Sequence, residues 1–455
     1  MKRRTFLSGT VASALCPTLS FAAEARRLSA RTSSVRIAPA AYPETQVWSF
    51  DGITPGPELR VSQDGRLDIR LENDLEVPTS IHWHGIRLEN AMDGVPGVTQ
   101  PPVGPGETFD YSFVCPDAGT FWYHSHLKSV EQVERGLYGP LIVEEPEAID
   151  IDAEHVLVLD DWRLDQEAQL IGDFENGHDL SHGGRLGNVV TTNGNMELVL
   201  DARQGDRLRL RLINAANARI FRLGLKGLRG WIVATDGMPL NQPRPVEEPF
   251  VLAPAQRLDL IVDIEAGTSS EAVLTDILGD ESFAQVTFQV TGSGRAREMP
   301  PSALPPNPFS SAPDSASARE LKLLMQGGAM RWLAEADSKS GRKSGRELAG
   351  EGLFWALNGH AGRPEEPLAV IDRNEPIKIS FVNETMWPHA MHLHGHHFFE
   401  LDEAGNPGDF RDTTLVQPAQ SRTVLFSANN RGDWLLHCHM LGHHASGMGT
   451  WIKVI

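Results

Sequence analysis

The chain of 455 residues carries 60 acidic side chains against 41 Lys and Arg, a formal net charge of −19. That acidity excludes nucleic-acid binding by phosphate neutralisation, and the length allows about three domains. Forty-two glycines and 30 prolines punctuate short Val/Ile/Leu/Thr runs without sustained helical periodicity, so an all-β protein is expected.

The first residues read Met1-Lys2-Arg3-Arg4-Thr5-Phe6-Leu7, and a mildly apolar run follows to Ala23. Paired arginines before Phe-Leu and a weak apolar stretch predict a twin-arginine export signal over residues 1–23, with the periplasm as destination and the twin-arginine machinery as partner. No later segment is apolar enough to span a bilayer, so no stable membrane anchor is expected. Cys16 falls in this segment, and Leu15 before it does not fit a lipoprotein cleavage site.

Three loosely repeated stretches follow. Phe50-Asp51-Gly52 leads through GRLDIRLEN to Asn73, Thr192-Asn193-Gly194 through GDRLRLRLIN to Asn214, and Leu357-Asn358-Gly359 through NEPIKISFVN to Asn383. Each has an Asn/Asp-Gly turn, an alternating strand of the half-buried kind, and a closing Asn. A threefold repeat of a β-sandwich explains this pattern. The expected domains are 35–147, 150–295 and 319–455, with the Pro/Ser/Ala-rich stretch 296–318 as a linker.

Chemistry-bearing residues divide unevenly among these segments. The first holds His82-Trp83-His84, Asp93 within NAMDGVPG, Cys115, and His124-Ser125-His126. Cys115 has no evident partner and reads as a small buried apolar residue. The second holds neither a His-x-His unit nor a cysteine, and its Gly/Asp/His stretch around His178 and His182 reads as a flexible loop. It is expected to be a spacer that helps shape substrate entry. The third holds His389, His392-Leu393-His394 and the stretch HCHMLGHHASGM from His437 to Met448.

Ten of the seventeen histidines are candidate ligands in these clusters: His82, His84, His124, His126, His389, His392, His394, His437, His439 and His443. In a strand, residues i and i+2 share a face, so each His-x-His presents two imidazoles to one side. Four such pairs supply eight imidazoles, enough for three metal ions. Within His437-Cys438-His439 the thiolate points the other way, where His389, His443 and Met448 complete a separate mononuclear set. Thiolate, imidazole and a weak axial thioether are the donors of a blue-copper site. Structural zinc uses closed sets of four ligands at short spacing, which eight histidines in strand-type pairs do not match. Because the first and third segments share the pairs evenly, the multinuclear site is expected at their interface.

The motifs IHWHG, FWYHSH, HAMHLHGH and HCHMLGHHASGM are complete, and through them nearly all of the mature chain resembles the multicopper oxidases. The likeness is to the three-domain, laccase-like bacterial periplasmic members. That resemblance implies three tandem cupredoxin-like Greek-key β-sandwiches and four coppers per chain. His389, Cys438 and His443 would bind the type 1 copper with Met448 axial, and His82 and His392 the type 2 copper. His84, His124, His126, His394, His437 and His439 would bind the type 3 pair. It further implies that a reductant gives single electrons at the exposed edge of His443. Cys438 would pass them to His437 or His439, and dioxygen would be reduced to water. Asp93 matches an acidic residue the family places near the type 2 copper, as proton donor or orienting group.

One position departs from the pattern. Some relatives carry a proton-delivering carboxylate directly after the distal type 1 histidine, where this chain has His444. His396 and His397 read as neighbours of ligands rather than ligands. Met325, Met330, Met386 and Met391 are scattered, and the loop 334–351 has no Met, so a dedicated methionine funnel for cuprous ion is not expected. Phenolic or aromatic reductants, or low-valent metal ions, are the expected substrates, with a dedicated metal-ion oxidase as the alternative. A non-catalytic envelope or cell-division protein, a copper nitrite reductase and a copper-sequestering protein are the rival classes. The twelve ligand positions argue against the first. The three-part repeat and eight paired imidazoles argue against the second. Dioxygen consumption separates the third.

Overall fold

The computed structural model describes residues 25–308 and 310–455, so the proposed export signal lies outside the described residues. Strands gather in three successive groups, each a sandwich of two sheets. In the first, the order Thr45–Phe50, Arg26–Val35, Arg66–Asn73, Thr108–Val114 faces Leu59–Ser62, Tyr138–Glu144, Gly119–His124, His82–His84. The second pairs a six-stranded with a five-stranded sheet between Ala153 and Ser293, and the third does the same between Arg319 and Val454. No helix of the described residues is long and apolar enough to cross a membrane.

The repeat seen in the sequence has a structural counterpart at every step. The Asp51-Gly52, Asn193-Gly194 and Asn358-Gly359 pairs all have both residues at positive φ, between 49° and 87°. That is the tight hairpin turn for which Asn/Asp-Gly is the favoured sequence. In each group the first strand runs parallel to the repeated alternating strand: Arg26–Val35 with Arg66–Asn73, Ala153–Trp162 with Arg207–Asn214, and Arg319–Gly327 with Pro376–Asn383. Parallel neighbours cannot be joined by a hairpin, so each group contains a crossover between its sheets, as a Greek-key sandwich requires.

The closing asparagines form one clasp three times. Asn73 Nδ2 donates to Val77 O and Val103 O, Asn214 Nδ2 to Arg219 O and Leu252 O, and Asn383 Nδ2 to Trp387 O and Val416 O. The three Oδ1 atoms accept from the main-chain N of Leu75, Ala216 and Thr385. One side chain thereby satisfies three buried main-chain groups where the strand turns away.

Two of the three alternating strands behave as half-buried strands. Leu67, Ile69 and Leu71 point inward, as do Ile377, Ile379 and Phe381. The middle one, Arg207–Asn214, is instead buried along its whole length. Its leucines fill the core of the second sandwich, while Arg209 and Arg211 reach the first and Arg207 pairs with Asp263 of its own. Arg209 Nη2 bonds Asp259 Oδ2 at 2.5 Å and Glu145 Oε1 at 2.7 Å, and Arg211 Nη1 bonds Thr120 Oγ1 at 3.0 Å. A charged strand face is buried because every cation on it meets an anion or hydroxyl.

The first and third sandwiches share a single hydrophobic core, in which Trp83, Tyr123 and Phe113 are continuous with Met391, Trp434 and Ile452. Cys115 is a free thiol inside it, and burial pushes its ionisation up to about 12.

Asn214→Ala, which removes no candidate ligand, is expected to destabilise the chain by about 2–4 kcal/mol, because two carbonyls and one amide lose their partner. Asn214→Asp keeps the acceptor but turns a buried carboxylate oxygen on the carbonyls of Arg219 and Leu252, and is expected to lose at least as much as the alanine variant. Denaturant unfolding of the three proteins checks the ranking, and equal stabilities would contradict the clasp.

Candidate metal centre

Register brings the histidine pairs together. His82 lies opposite His124 where His82–His84 pairs with Gly119–His124, and His392 lies opposite His437 where His389–Leu393 pairs with Gly432–Cys438. The two strand pairs meet at the seam of the first and third sandwiches, and all eight imidazoles are buried there. Their nitrogens gather as His84, His124 and His439; as His126, His394 and His437; and, with His84 shared, as His82 and His392.

In six of the eight rings, the bond that one nitrogen makes fixes which nitrogen faces inward. His82 Nδ1 donates to Asp93 O at 2.8 Å and His392 Nδ1 to Asp412 O at 3.0 Å, leaving both Nε2 atoms free. His394 Nδ1 donates to Asp93 Oδ2 at 2.9 Å, and His84 Nε2 to Asp412 Oδ1 at 3.2 Å. His124 and His437 Nδ1 donate to the carbonyls of Ser125 and Cys438 at 2.9 Å. His82 Nε2, His84 Nδ1 and His392 Nε2 are then buried without any hydrogen-bond partner. His394 Nε2 and His437 Nε2 face each other at 3.1 Å, and His124 and His439 Nε2 at 3.4 Å. Lone pairs converging at such distances, in a buried pocket, fit a set of cations and fit nothing else in the fold.

Asp93 and Asp412 make a crossed pair. Each gives its main-chain carbonyl to a histidine of its own sandwich and its carboxylate to a histidine of the other. The sequence pointed to Asp93 only. Asp412 was detectable as its counterpart in the third repeat, but it follows His392 by twenty residues where Asp93 follows His82 by eleven. Burial opposes its ionisation, yet Arg257 and then His84 hold its carboxyl well below the usual range. Arg257 Nη1 donates to Asp412 Oδ1 at 2.9 Å, and Nη2 to Asp412 Oδ2 at 2.5 Å and Asp236 O at 2.9 Å. Gly85, at φ +87°, makes room for this pair: a Cβ there would lie 2.3 Å from Arg257 Nη2. Arg257 belongs to the second sandwich, so that domain is more than the spacer read from the sequence.

Behind the cluster, Cys438 Sγ lies 3.6 Å from His389 Nδ1 and 3.7 Å from His443 Nδ1, and these two nitrogens are 3.0 Å apart. Met448 is buried beside them, and its main-chain O accepts from Cys438 N at 3.1 Å. Thiolate, two imidazoles and a thioether suit copper. His389 Nε2 donates to Thr385 Oγ1 at 2.8 Å, a contact with no sequence signal. Burial pushes the Cys438 thiol up to about 12, so metal uptake must displace its proton.

Two expectations are corrected here. His443 has no exposed edge: it is fully buried, and its Nε2 donates to His182 O at 2.7 Å. The stretch around His178 and His182 is the helix Gly177–Ser181, capped by Asn176. His396 Nδ1 contacts His394 O at 3.2 Å, and His397 Nε2 lies 3.4 Å from Asp412 Oδ2, so both neighbour ligands. The His444 ring lies 4.2 Å from that of His437, and burial lowers its ionisation to about 4.

Family models described as multicopper oxidase match residues 31–148, 153–271 and 335–455. The chain is 31% identical to multicopper oxidase MmcO of Mycobacterium tuberculosis, over 91% of this chain and 84% of that protein. It is 27% identical to copper resistance protein A of Pseudomonas syringae pv. tomato, over 89% of each. Among solved structures, a multi-copper oxidase from Pseudomonas thermotolerans superposes with a TM-score of 0.83 at 32% identity, covering 94% of this chain and 98% of that one. Lac15 from a marine microbial metagenome superposes with a TM-score of 0.76 at 39% identity, covering 94% and 100%.

Burial holds His84, His124, His126, His389, His394, His437 and His439 well below the ordinary histidine value of 6.5, and lowers His396 and His443 to about 4. The unfolded chain therefore takes up protons first as pH falls. The stability from neutral burial is complete above 6.5 and is lost progressively below it, down to about 4 for the last two. The metal-free protein is expected to show a level melting temperature above about pH 7 and a steep decline from 6.5 to 4. Circular dichroism melts check this, and a flat profile would contradict it.

Proposed function

Because the chain belongs to the multicopper oxidase family, we propose that it oxidises small reductants one electron at a time, laccase-like, and couples four such steps to the reduction of dioxygen to water. One observation carries the reading. The strand Gly432–Cys438 turns the Cys438 thiol toward His389 and His443, while the flanking His437 and His439 enter one histidine triad each. A single thiolate is thus tied through its own backbone to both halves of the cluster.

In this reading His389, Cys438, His443 and Met448 hold a type 1 copper, and His82 and His392 a type 2 copper. His84, His124 and His439 hold one type 3 ion, and His126, His394 and His437 the other. Bound copper supplies one-electron uptake at the thiolate set and dioxygen reduction at the cluster. The protein's own residues do the rest. Neutral, tautomer-fixed imidazoles present their lone pairs without reorganisation. Asp93, buried between His82 and His394, holds both rings and is placed to deliver a proton to the cluster. His444 stands where some relatives carry a carboxylate, with its ring 4.2 Å from that of His437.

Phenols, aromatic amines and low-valent metal ions all fall within the proposed reductants. Twin-arginine export to the periplasm is part of the proposal, supported by Arg3-Arg4 before Phe6-Leu7. Dioxygen uptake by the copper-loaded chain, with 2,6-dimethoxyphenol and with Cu(I), Fe(II) or Mn(II) in parallel, tests the reading. Consumption with any of them is expected, and none despite full loading would leave a sequestering or structural role. Asp93→Asn is expected to slow turnover about 100-fold while leaving anaerobic bleaching of the blue absorption at its original rate. A variant slowed equally in both would mean that Asp93 acts on folding or loading instead.

A further inference from the structure

Four side chains of the second sandwich hold one short segment of the third, residues 410–413. Thr235 Oγ1 donates to Phe410 O at 3.2 Å, and Gln256 Nε2 to Thr413 O at 3.0 Å. Asp236 Oδ2 accepts from Asp412 N at 3.3 Å and from Thr413 N at 3.1 Å. Arg257 takes the Asp412 carboxylate. Main-chain donors and acceptors of the segment are thus met from another domain, which fixes where its peptides lie.

Asp236 sits in a hairpin turn wedged between the domains. With Gly237 it joins Leu228–Thr235 to Met238–Pro245, the two residues at φ 49° and 81°. The tip presses into the first sandwich: a Cβ on Gly237 would lie 2.7 Å from the Phe121 ring, and one on Gly119 2.1 Å from Gly237 O. The 296–318 stretch closes over it, where Asn307 Nδ2 donates to Ala118 O at 2.7 Å and Oδ1 accepts from Ala118 N at 2.9 Å. Asp236 is only 1% exposed, and its carboxylate accepts a third main-chain bond from Arg257 N at 2.9 Å. Three N–H donors offset the burial of that carboxylate and hold it in one place.

One peptide unit connects this carboxylate to a ligand. Thr413 N donates to Asp236 Oδ2, and the carbonyl of the same planar amide, Asp412 O, accepts from His392 Nδ1 at 3.0 Å. Thr413 stands opposite His392 in the strand register, and its Oγ1 lies 3.2 Å from the same nitrogen. A carboxylate that draws on the N–H end of an amide makes its oxygen a better acceptor. That in turn steadies the ring and makes the lone pair on His392 Nε2 a stronger donor, as a carboxylate does when it holds a ligand directly. We infer that Asp236, in the domain without ligands, is a positioning residue for the metal held by His392, acting through the Asp412–Thr413 peptide. The inference rests on the oxidase reading above, in which that metal is the type 2 copper. The thiolate site takes its supports elsewhere: His389 from Thr385, Cys438 N from Met448 O, and His443 from His182. Asp236 therefore acts on one kind of copper and not the other.

The test compares the copper-loaded wild type with Asp236→Asn, which keeps the shape but turns an amide N–H on at least one of the three donors. Asp236→Gly, which suits the positive φ of the turn, carries the same expectation should the first variant not fold. Val286→Ala is the control, since it loosens the core of the same sandwich in the sheet away from the turn. Each protein is dialysed against EDTA while its copper content, paramagnetic resonance and blue absorption are followed. The Asp236 variants are expected to lose the type 2 resonance about 10–100-fold faster than the wild type, with the blue absorption intact. Val286→Ala is expected to melt at a lower temperature and to keep the type 2 resonance. Retention equal to the wild type, parallel loss of the blue absorption, or the same loss in Val286→Ala would overturn the role of Asp236. A fully loaded wild type without any type 2 resonance would overturn the copper assignment on which it rests.

Discussion

A buried metal cluster built from neutral imidazoles depends on tautomer control. Each ring has two nitrogens, and only the one without a proton can bind, so every ligand needs an acceptor for the other. Asp93 and Asp412 meet this need twice each, once with a carbonyl within the sandwich and once with a carboxylate across the seam. Two of these four bonds, His394 to Asp93 and His84 to Asp412, therefore also tie the first and third sandwiches together. The shared hydrophobic core brings the two domains together without direction. The crossed carboxylates supply the direction.

Much of this was legible in the sequence because period 2 is strict. A His-x-His in a strand must present both rings to one face, and a Cys between two histidines must point away from them. The Asn/Asp-Gly turns and closing asparagines were equally legible, since each satisfies a main-chain demand that few other residues can meet. What escaped was of two kinds. Arg257 and Asp412 are ordinary charged residues whose partners lie 155 positions apart in sequence. The His182 carbonyl that holds His443 is a main-chain atom, which leaves no mark on composition. The alternation of LRLRL misled for a related reason: period 2 shows that two faces differ, and says nothing of whether a second domain covers the polar one.

The middle sandwich changes most between the two readings. Without a ligand of its own, it sets the charge of Asp412 through Arg257 and closes the thiolate site through its short helix. Its arginine-bearing strand locks it to the first sandwich. The middle domain thus acts on both metal sites from outside, although every candidate ligand lies in the other two domains.

The crossing of Asp93 and Asp412 has a consequence for assembly. Neither the first nor the third sandwich owns a complete triad, and the carboxylate that steadies His84 is itself steadied by the second. No fragment of the chain can hold the cluster, and no order of domain folding can complete it early. Filling of the cluster is therefore a record that all three domains have docked correctly, so the metal acts as a seal on the finished tertiary structure.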